Sequence, residues 1–165
     1  MLSNTMIAKL NDQIRIEFES SNIYLQMAAW CSYKGYEGAT AFLVAHAEEE
    51  RMHMMKLFNY LGETGALAVI PALAKPEEEY ESLSKMFEQI LNHERFVTSK
   101  INELVELAYE EKDYSSLNFL QWYVAEQHEE ESLFSSLIDK INLIGHDGRG
   151  LYLMDRELGK IATTA

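Results

Sequence analysis

The sequence predicts an all-α protein: a four-helix bundle in up-down-down-up order, with one long crossover between the second and third helices and a short fifth helix at the C-terminal end. Three observations predict it. Pro71 and Pro76 are the only prolines, glycine accounts for 8 of 165 residues, and apolar residues recur at three- and four-residue steps over windows far longer than a strand. A chain of this length supports one domain with a sizeable core and is short for two, so a single domain over residues 1–165 is expected.

The first helix is expected at about 5–33, opened by Asn4 or Thr5 as cap, and the second at 37–63, ended by Gly62 and Gly65. Only residues 34–36 separate them, which forces an antiparallel hairpin. The third helix is expected at 83–111 behind Ser82 as cap, and the fourth at 115–144, with residues 112–114 as a second tight turn. Between the hairpins, residues 65–82 hold both prolines and the acidic run 77–79. A connection of this length inside a compact domain needs a reason. A helix of about 29 residues is about 43 Å long, and this loop can reach roughly 60 Å when extended. It can therefore run the length of the bundle and set the third helix parallel to the second. Beyond the fourth helix, Gly145, Gly148 and Gly150 break the chain, and Leu151, Met154, Leu158 and Ile161 mark one stripe of a fifth helix at 151–162. So short a helix must dock on something, either its own bundle or a neighbouring subunit.

Composition excludes several classes of function. A net charge of −13, from 27 acidic and 14 basic residues, argues against nucleic acid as a partner, because phosphate binding rests on Lys and Arg. No stretch is apolar for long enough to span a membrane. The opening Met1-Leu2-Ser3-Asn4-Thr5 shows no basic segment followed by an apolar run, so a cytoplasmic location is expected. The single Cys31 offers neither a disulfide nor a thiolate metal site and reads as a small buried apolar residue.

Certain acids stand where aliphatic residues belong. The first helix aligns Leu10, Ile14, Glu17, Ser21, Tyr24 and Ala28 on one face; the second aligns Leu43, His46, Glu50, His53, Leu57 and Leu61. The third aligns Phe87, Ile90, Glu94, Val97 and Ile101, and the fourth Tyr123, Gln127, Glu130, Phe134 and Leu137. Each helix thus sends a carboxylate inward. Glu17 and Glu50 are equidistant from the first hairpin turn, Glu94 and Glu130 from the second, so all four sit near mid-height. A shift of 77 positions, the difference between 94 and 17, maps Glu17 onto Glu94, Glu50 onto Gln127, His53 onto Glu130, Phe42 onto Phe119 and Glu49 onto Glu126, as in a duplicated hairpin. Four buried carboxylates without inward-facing lysine or arginine are costly unless protonated or neutralised by cations. Glu50-Arg51-Met52-His53 adds a Glu-x-x-His pair at one-turn spacing, and carboxylates with one imidazole suit iron or manganese.

Together with these residues, the stretches Ala28-Ala29-Trp30-Cys31-Ser32-Tyr33 and Asn118-Phe119-Leu120-Gln121-Trp122-Tyr123-Val124-Ala125-Glu126-Gln127-His128-Glu129-Glu130-Glu131 make the chain resemble the bacterial non-haem ferritins over essentially its whole length. The resemblance implies a ferritin-like fold, iron storage and a ferroxidase that oxidises ferrous iron with dioxygen or peroxide. It also implies mineral deposition inside a hollow, symmetric homo-oligomer of about 24 subunits. It implies one iron held by Glu17, Glu50 and His53, a second by Glu50, Glu94 and Glu130 with Glu50 bridging, and Gln127 as a hydrogen-bonding neighbour. A third iron position maps to Glu49, Glu126, Glu129 and Glu130. Glu49, Glu126 and Glu129 read equally well as a solvated acidic face. Tyr24 is either a core aromatic or a residue that hydrogen-bonds a ligand or donates an electron, and Trp122 fits the core better than a redox role. His46 reads as a hydrogen-bonded filler; His93, His128 and His146 read as surface residues.

Departures from neighbouring families sharpen the expectation. Bacterioferritins carry a second Glu-x-x-His on the fourth helix, where this chain has Gln127-His128-Glu129-Glu130, so one nitrogen ligand and an asymmetric pair of irons are implied. Bacterioferritin haem is ligated by a methionine directly after the glutamate of the second helix; Arg51 stands there, so no haem is expected. Mini-ferritins lack a fifth helix after the fourth and build their metal site between subunits. A rubrerythrin-like peroxide reductase is the enzymatic alternative, although the cysteine pairs of its rubredoxin domain are missing. An inert cage subunit is the non-enzymatic one.

Overall fold

A computed structural model describes residues 2–164. Its elements are α1 (Asn4–Lys34), α2 (Glu37–Glu63), α3 (Leu83–Glu110), α4 (Tyr114–Ile144) and α5 (Gly148–Thr164), and there is no strand among the described residues. The fold class is the one the periodicity predicts. Among the described residues, no helix is long and apolar enough to cross a membrane.

The helix ends follow local hydrogen-bond chemistry. Ser3, rather than Asn4 or Thr5, caps α1: its hydroxyl accepts from Met6 N at 3.0 Å, an arrangement worth about 1 kcal/mol. Ser82 caps α3 as expected, accepting from Lys85 N at 3.1 Å. Asp113 caps α4 through Ser116 N, so that helix opens at Tyr114. Gly62 lies inside the last turn of α2, and the chain turns at Gly65 with φ 78°. Helix α5 starts at Gly148, ahead of the stripe that marked it. Asp147 accepts from Gly150 N at 2.8 Å and ties the first turn together, so two glycines read as breakers are helical.

The two hairpin turns are built alike. Gly35 adopts a left-handed φ of 86°, with Gly35 N bonded to Ser32 O and Tyr36 N to Cys31 O. Lys112, 77 positions later, adopts φ 56° with the same pair of bonds, from Lys112 N to Tyr109 O and from Asp113 N to Ala108 O. The repeat seen in the carboxylates therefore extends to the backbone of the turns.

Helices α1 and α2 pack as one hairpin, α3 and α4 as another. Asn11 near the start of α1 holds the crossover at Leu67 O and Val69 N, while Tyr80 packs edge-on against Trp30 near the end of α1. The loop thus travels about 28 Å along α1, and α3 begins where α2 began. Lys9 to Glu103 at 3.0 Å and Ser3 to Glu111 at 2.7 Å confirm that α3 runs antiparallel to α1.

Helix α5 packs on α2 and α4 of its own chain, with Met154 and Leu158 buried. Asp155 accepts from Ala39 N at 2.8 Å and so caps the start of α2, whose own Tyr36 makes no side-chain cap. The approach is close enough that a Cβ on Gly38 would overlap the Asp155 carbonyl.

Every residue of the four predicted stripes is buried. The apolar core nevertheless falls into two clusters. One surrounds Tyr24, Phe42, Phe87, Phe134 and Leu158; the other surrounds Leu10, Ile14, Leu57, Val97 and Leu120. The inward carboxylates occupy the layer between them.

Candidate metal centre

Helical spacing places Glu17 and Tyr24 two turns apart on α1, and Glu50 and His53 one turn apart on α2. Glu17, Glu50, Glu94 and Glu130 are all at most 5% exposed. Ligand atoms of Glu17, Glu50 and His53 lie within 4.8 Å of one another, and His53 Nδ1 stands 3.4 Å from Glu50 Oε2. Gln13, one turn before Glu17, donates to Glu17 Oε1 at 2.8 Å. Glu17 Oε2 and Glu130 Oε2 are buried and accept no hydrogen bond, and an unmet buried carboxylate oxygen is expensive.

Electrostatics state the same conflict. Burial, then the charge of Glu50, pushes the Glu17 carboxyl well above its ordinary range. Burial, then the charge of Glu94, does the same to Glu50 and raises Glu130 to about 8. These acids cannot all ionise side by side in an apolar bundle unless positive charge enters with them. Carboxylates with one imidazole form a donor set for a divalent first-row metal.

The second set implied by the resemblance, Glu50 with Glu94 and Glu130, is arranged differently. Tyr24 hydroxyl donates to Glu94 Oε1, and Gln127 Nε2 donates to Glu94 Oε2 at 3.0 Å and to the Glu94 carbonyl at 3.2 Å. Glu94 is thus anchored by α1 and α4, and Gln127 acts on it as a hydrogen-bond donor. Glu130 instead approaches α2, with Oε2 at 3.8 Å from His46 Nε2.

Of the outer acids, Glu49 and Glu126 are half-buried and form a three-ligand group with His53, whereas Glu129 is exposed and joins no such group among the described residues. Burial pushes the Glu126 carboxyl up. A cavity of about 330 Å³ opens over this group, lined by Glu49, Met52, His53, Trp122 and Glu126. Trp122 meets His53 edge-on at 5.2 Å, under the ammonium of Lys56. The ring is half-buried: it packs against the core cluster around Leu10 and Leu57, as the core reading has it, and its outer face walls this mouth.

One histidine differs from its sequence reading, and one agrees with it. His93 is not a surface residue: it is half-buried, bonds Ser20 Oγ at 2.7 Å and stands edge-on to Tyr24, and burial lowers its pKa. His46 is buried, as a filler would be, but it also forms a third ligand group with Glu49 and Glu130. Gln13 escaped notice because a lone glutamine on an amphipathic helix carries no signal; its position four residues before an inward acid could have found it. His128 and His146 are exposed.

The chain matches a family model described as a ferritin-like domain over residues 7–144. A probable bacterial non-heme ferritin-like protein of Haemophilus influenzae is 58% identical over 165 residues, with 100% of both chains covered. The bacterial non-heme ferritin of Escherichia coli O6:H1 is 52% identical over 163 residues, with 99% of both covered. Among solved structures, an open-pore ferritin from the hyperthermophilic archaeon Archaeoglobus fulgidus superposes with a TM-score of 0.94 at 41% identity, covering 96% of this chain and 98% of that one. Chlorobium tepidum ferritin gives 0.86 at 51% identity, covering 97% and 98%. With relatives aligned from end to end and a buried layer of carboxylates at mid-bundle, the chain belongs to the ferritin-like family, among the bacterial non-haem ferritins.

Proposed function

We propose that this protein stores iron and is a ferroxidase, oxidising ferrous iron at a di-iron centre inside each subunit and depositing it as ferric oxyhydroxide mineral within a hollow homo-oligomer of about 24 subunits. The observation that carries this reading is the grouping of Glu17, Glu50 and His53 in the interior. Those residues take one ferrous ion, and Glu50, Glu94 and Glu130 take the second, with Glu50 between them. Each ion gives up one electron. The pair supplies the two electrons that, with two protons, carry dioxygen to hydrogen peroxide, or peroxide to water. The protein contributes position and negative charge; Tyr24 and Gln127 hold Glu94 in place, and Tyr24 stands near enough to exchange an electron with the centre. The −13 charge of each subunit favours cation entry. A cytoplasmic location and the absence of haem belong to the same reading, with Arg51 rather than methionine following Glu50.

Metal-free protein mixed with ferrous iron in air should oxidise two ions per subunit faster than buffer, then accumulate mineral in the fraction that elutes as the assembled cage. The Glu50→Ala plus His53→Ala variant should assemble and lose the fast phase. Equal rates in the variant and its parent would sink the catalytic reading.

A further inference from the structure

Methionine is unevenly placed among the described residues. Met6, Met27, Met54, Met86 and Met154 are at most 4% exposed, as fillers of a core should be, whereas Met52 and Met55 are 65% and 37% exposed. Both exposed thioethers lie one turn apart on α2 and line the same cavity of about 330 Å³, together with His53 and Trp122. His53 also belongs to the group with Glu17 and Glu50, so this cavity reaches the first metal position. Trp122 is shielded on one face. The Lys56 ammonium lies 4.2 Å from its ring centroid, and a positive charge there makes an electron harder to remove from the indole. The thioether side chains stand open to solvent at the same mouth.

We propose that Met52 and Met55 are oxidisable guards of this mouth, taking an oxygen atom from hydrogen peroxide before oxidation reaches Trp122 and His53. The inference rests on the ferroxidase reading, which supplies the peroxide from dioxygen, two electrons and two protons. One such molecule confined to the cavity of about 330 Å³ is at a local concentration of roughly 5 M, far above that of the surrounding solution. A sulfur lone pair attacks one peroxide oxygen, an S–O bond forms and the O–O bond breaks. The sulfur loses two electrons, and the other oxygen leaves with both protons as water. Each methionine becomes a sulfoxide and consumes one peroxide. The choice of residue matters for what is lost: an oxidised imidazole no longer holds metal and an oxidised indole no longer closes the wall, whereas a sulfoxide at Met52 or Met55 leaves both in place and is chemically reversible.

The assembled protein is given repeated additions of ferrous iron in air in one arm, and hydrogen peroxide without iron in another, and added oxygen is located by mass spectrometry of its peptides. In both arms sulfoxide at Met52 and Met55 should exceed that at Met27, Met54 and Met86 by at least about tenfold. The Met52→Leu plus Met55→Leu variant keeps two apolar side chains of similar volume. It should oxidise iron at the parent rate in the first round. Over later rounds it should gain roughly threefold or more oxygen on Trp122 and lose its rate sooner than the parent. Sulfurs spared while iron is oxidised at the fast rate, or equal damage to Trp122 in variant and parent, overturns the proposal. Iron oxidised no faster than in buffer strikes instead at the ferroxidase reading, and the arm with peroxide alone still compares Trp122 in the two proteins. The parent's own peptides decide even if the variant fails to assemble, because Trp122 oxidised ahead of Met52 and Met55 also overturns the proposal.

Discussion

Tyr24 on α1 donates its phenolic hydroxyl to Glu94 on α3, joining the two helices at the carboxylate layer. Burial and the neighbouring carboxylates, Glu94 foremost, keep that phenol protonated well beyond its ordinary range. Tyr24→Phe removes the donor and leaves Glu94 to Gln127 alone. The variant should fold with a stability loss of about 1 kcal/mol. The position formed by Glu50, Glu94 and Glu130 should bind zinc several-fold more weakly, while that of Glu17, Glu50 and His53 is unchanged. Calorimetry on metal-free protein measures both, and equal weakening of the two positions would contradict the assigned roles.

Lys112 occupies the left-handed conformation that Gly35 takes in the equivalent turn. A side chain there costs about 1 kcal/mol relative to glycine. Lys112→Gly should therefore raise the denaturant midpoint, by about 0.5 to 1 kcal/mol in unfolding free energy, and Gly35→Ala should lower it. A Lys112→Gly variant less stable than its parent would show that the lysine side chain makes a compensating contact.

Stability and metal binding should both follow pH. Glu130 titrates near 8 in the folded protein against an ordinary value of 4.5, so the folded state holds the extra proton between those values. The contribution of this group is fully present below 4.5 and is lost as pH rises through about 8; Glu17 and Glu50 act in the same direction. Metal-free protein should thus unfold at lower denaturant concentration at pH 9 than at pH 6, and zinc should close the gap. Zinc binding at neutral pH should also release protons, read as a dependence of the calorimetric heat on buffer ionisation enthalpy. A heat independent of buffer would refute this.

The fold was legible because helical periodicity reports which residues face inward, and an acid on such a stripe is conspicuous. Glu17, Glu50, Glu94 and Glu130 stood out for that reason, and equal distances from the two hairpin turns placed them at one height. Other features depend on contacts between helices and leave no mark in a linear pattern. A histidine among aliphatic neighbours looks the same whether it only fills space or also faces an acid, and His46 is distinguished only by Glu130 arriving from α4. His93 looked like a surface residue because its partner, Ser20, lies on another helix. The resemblance implies Gln127 as a hydrogen-bonding neighbour and offers the same role for Tyr24, and the assembled bundle shows that both act on Glu94, one on each oxygen. At the ends, Ser3 prevailed over Asn4 and Thr5 because neighbouring capping residues compete on backbone geometry, and Gly148 and Gly150 joined α5 because a first helical turn tolerates glycine when Asp147 anchors it.

The division of the core into two greasy ends with an acidic waist means that the ends, not the ions, keep the waist assembled. Closure of α1 on α2 and of α3 on α4 is driven from both sides by aromatic and aliphatic packing. The acidic groups, protonated in the metal-free protein, are therefore held close together by the fold itself. Under the proposed function an ion would meet a socket already shaped and would displace protons from it, without having to gather loose arms from solution.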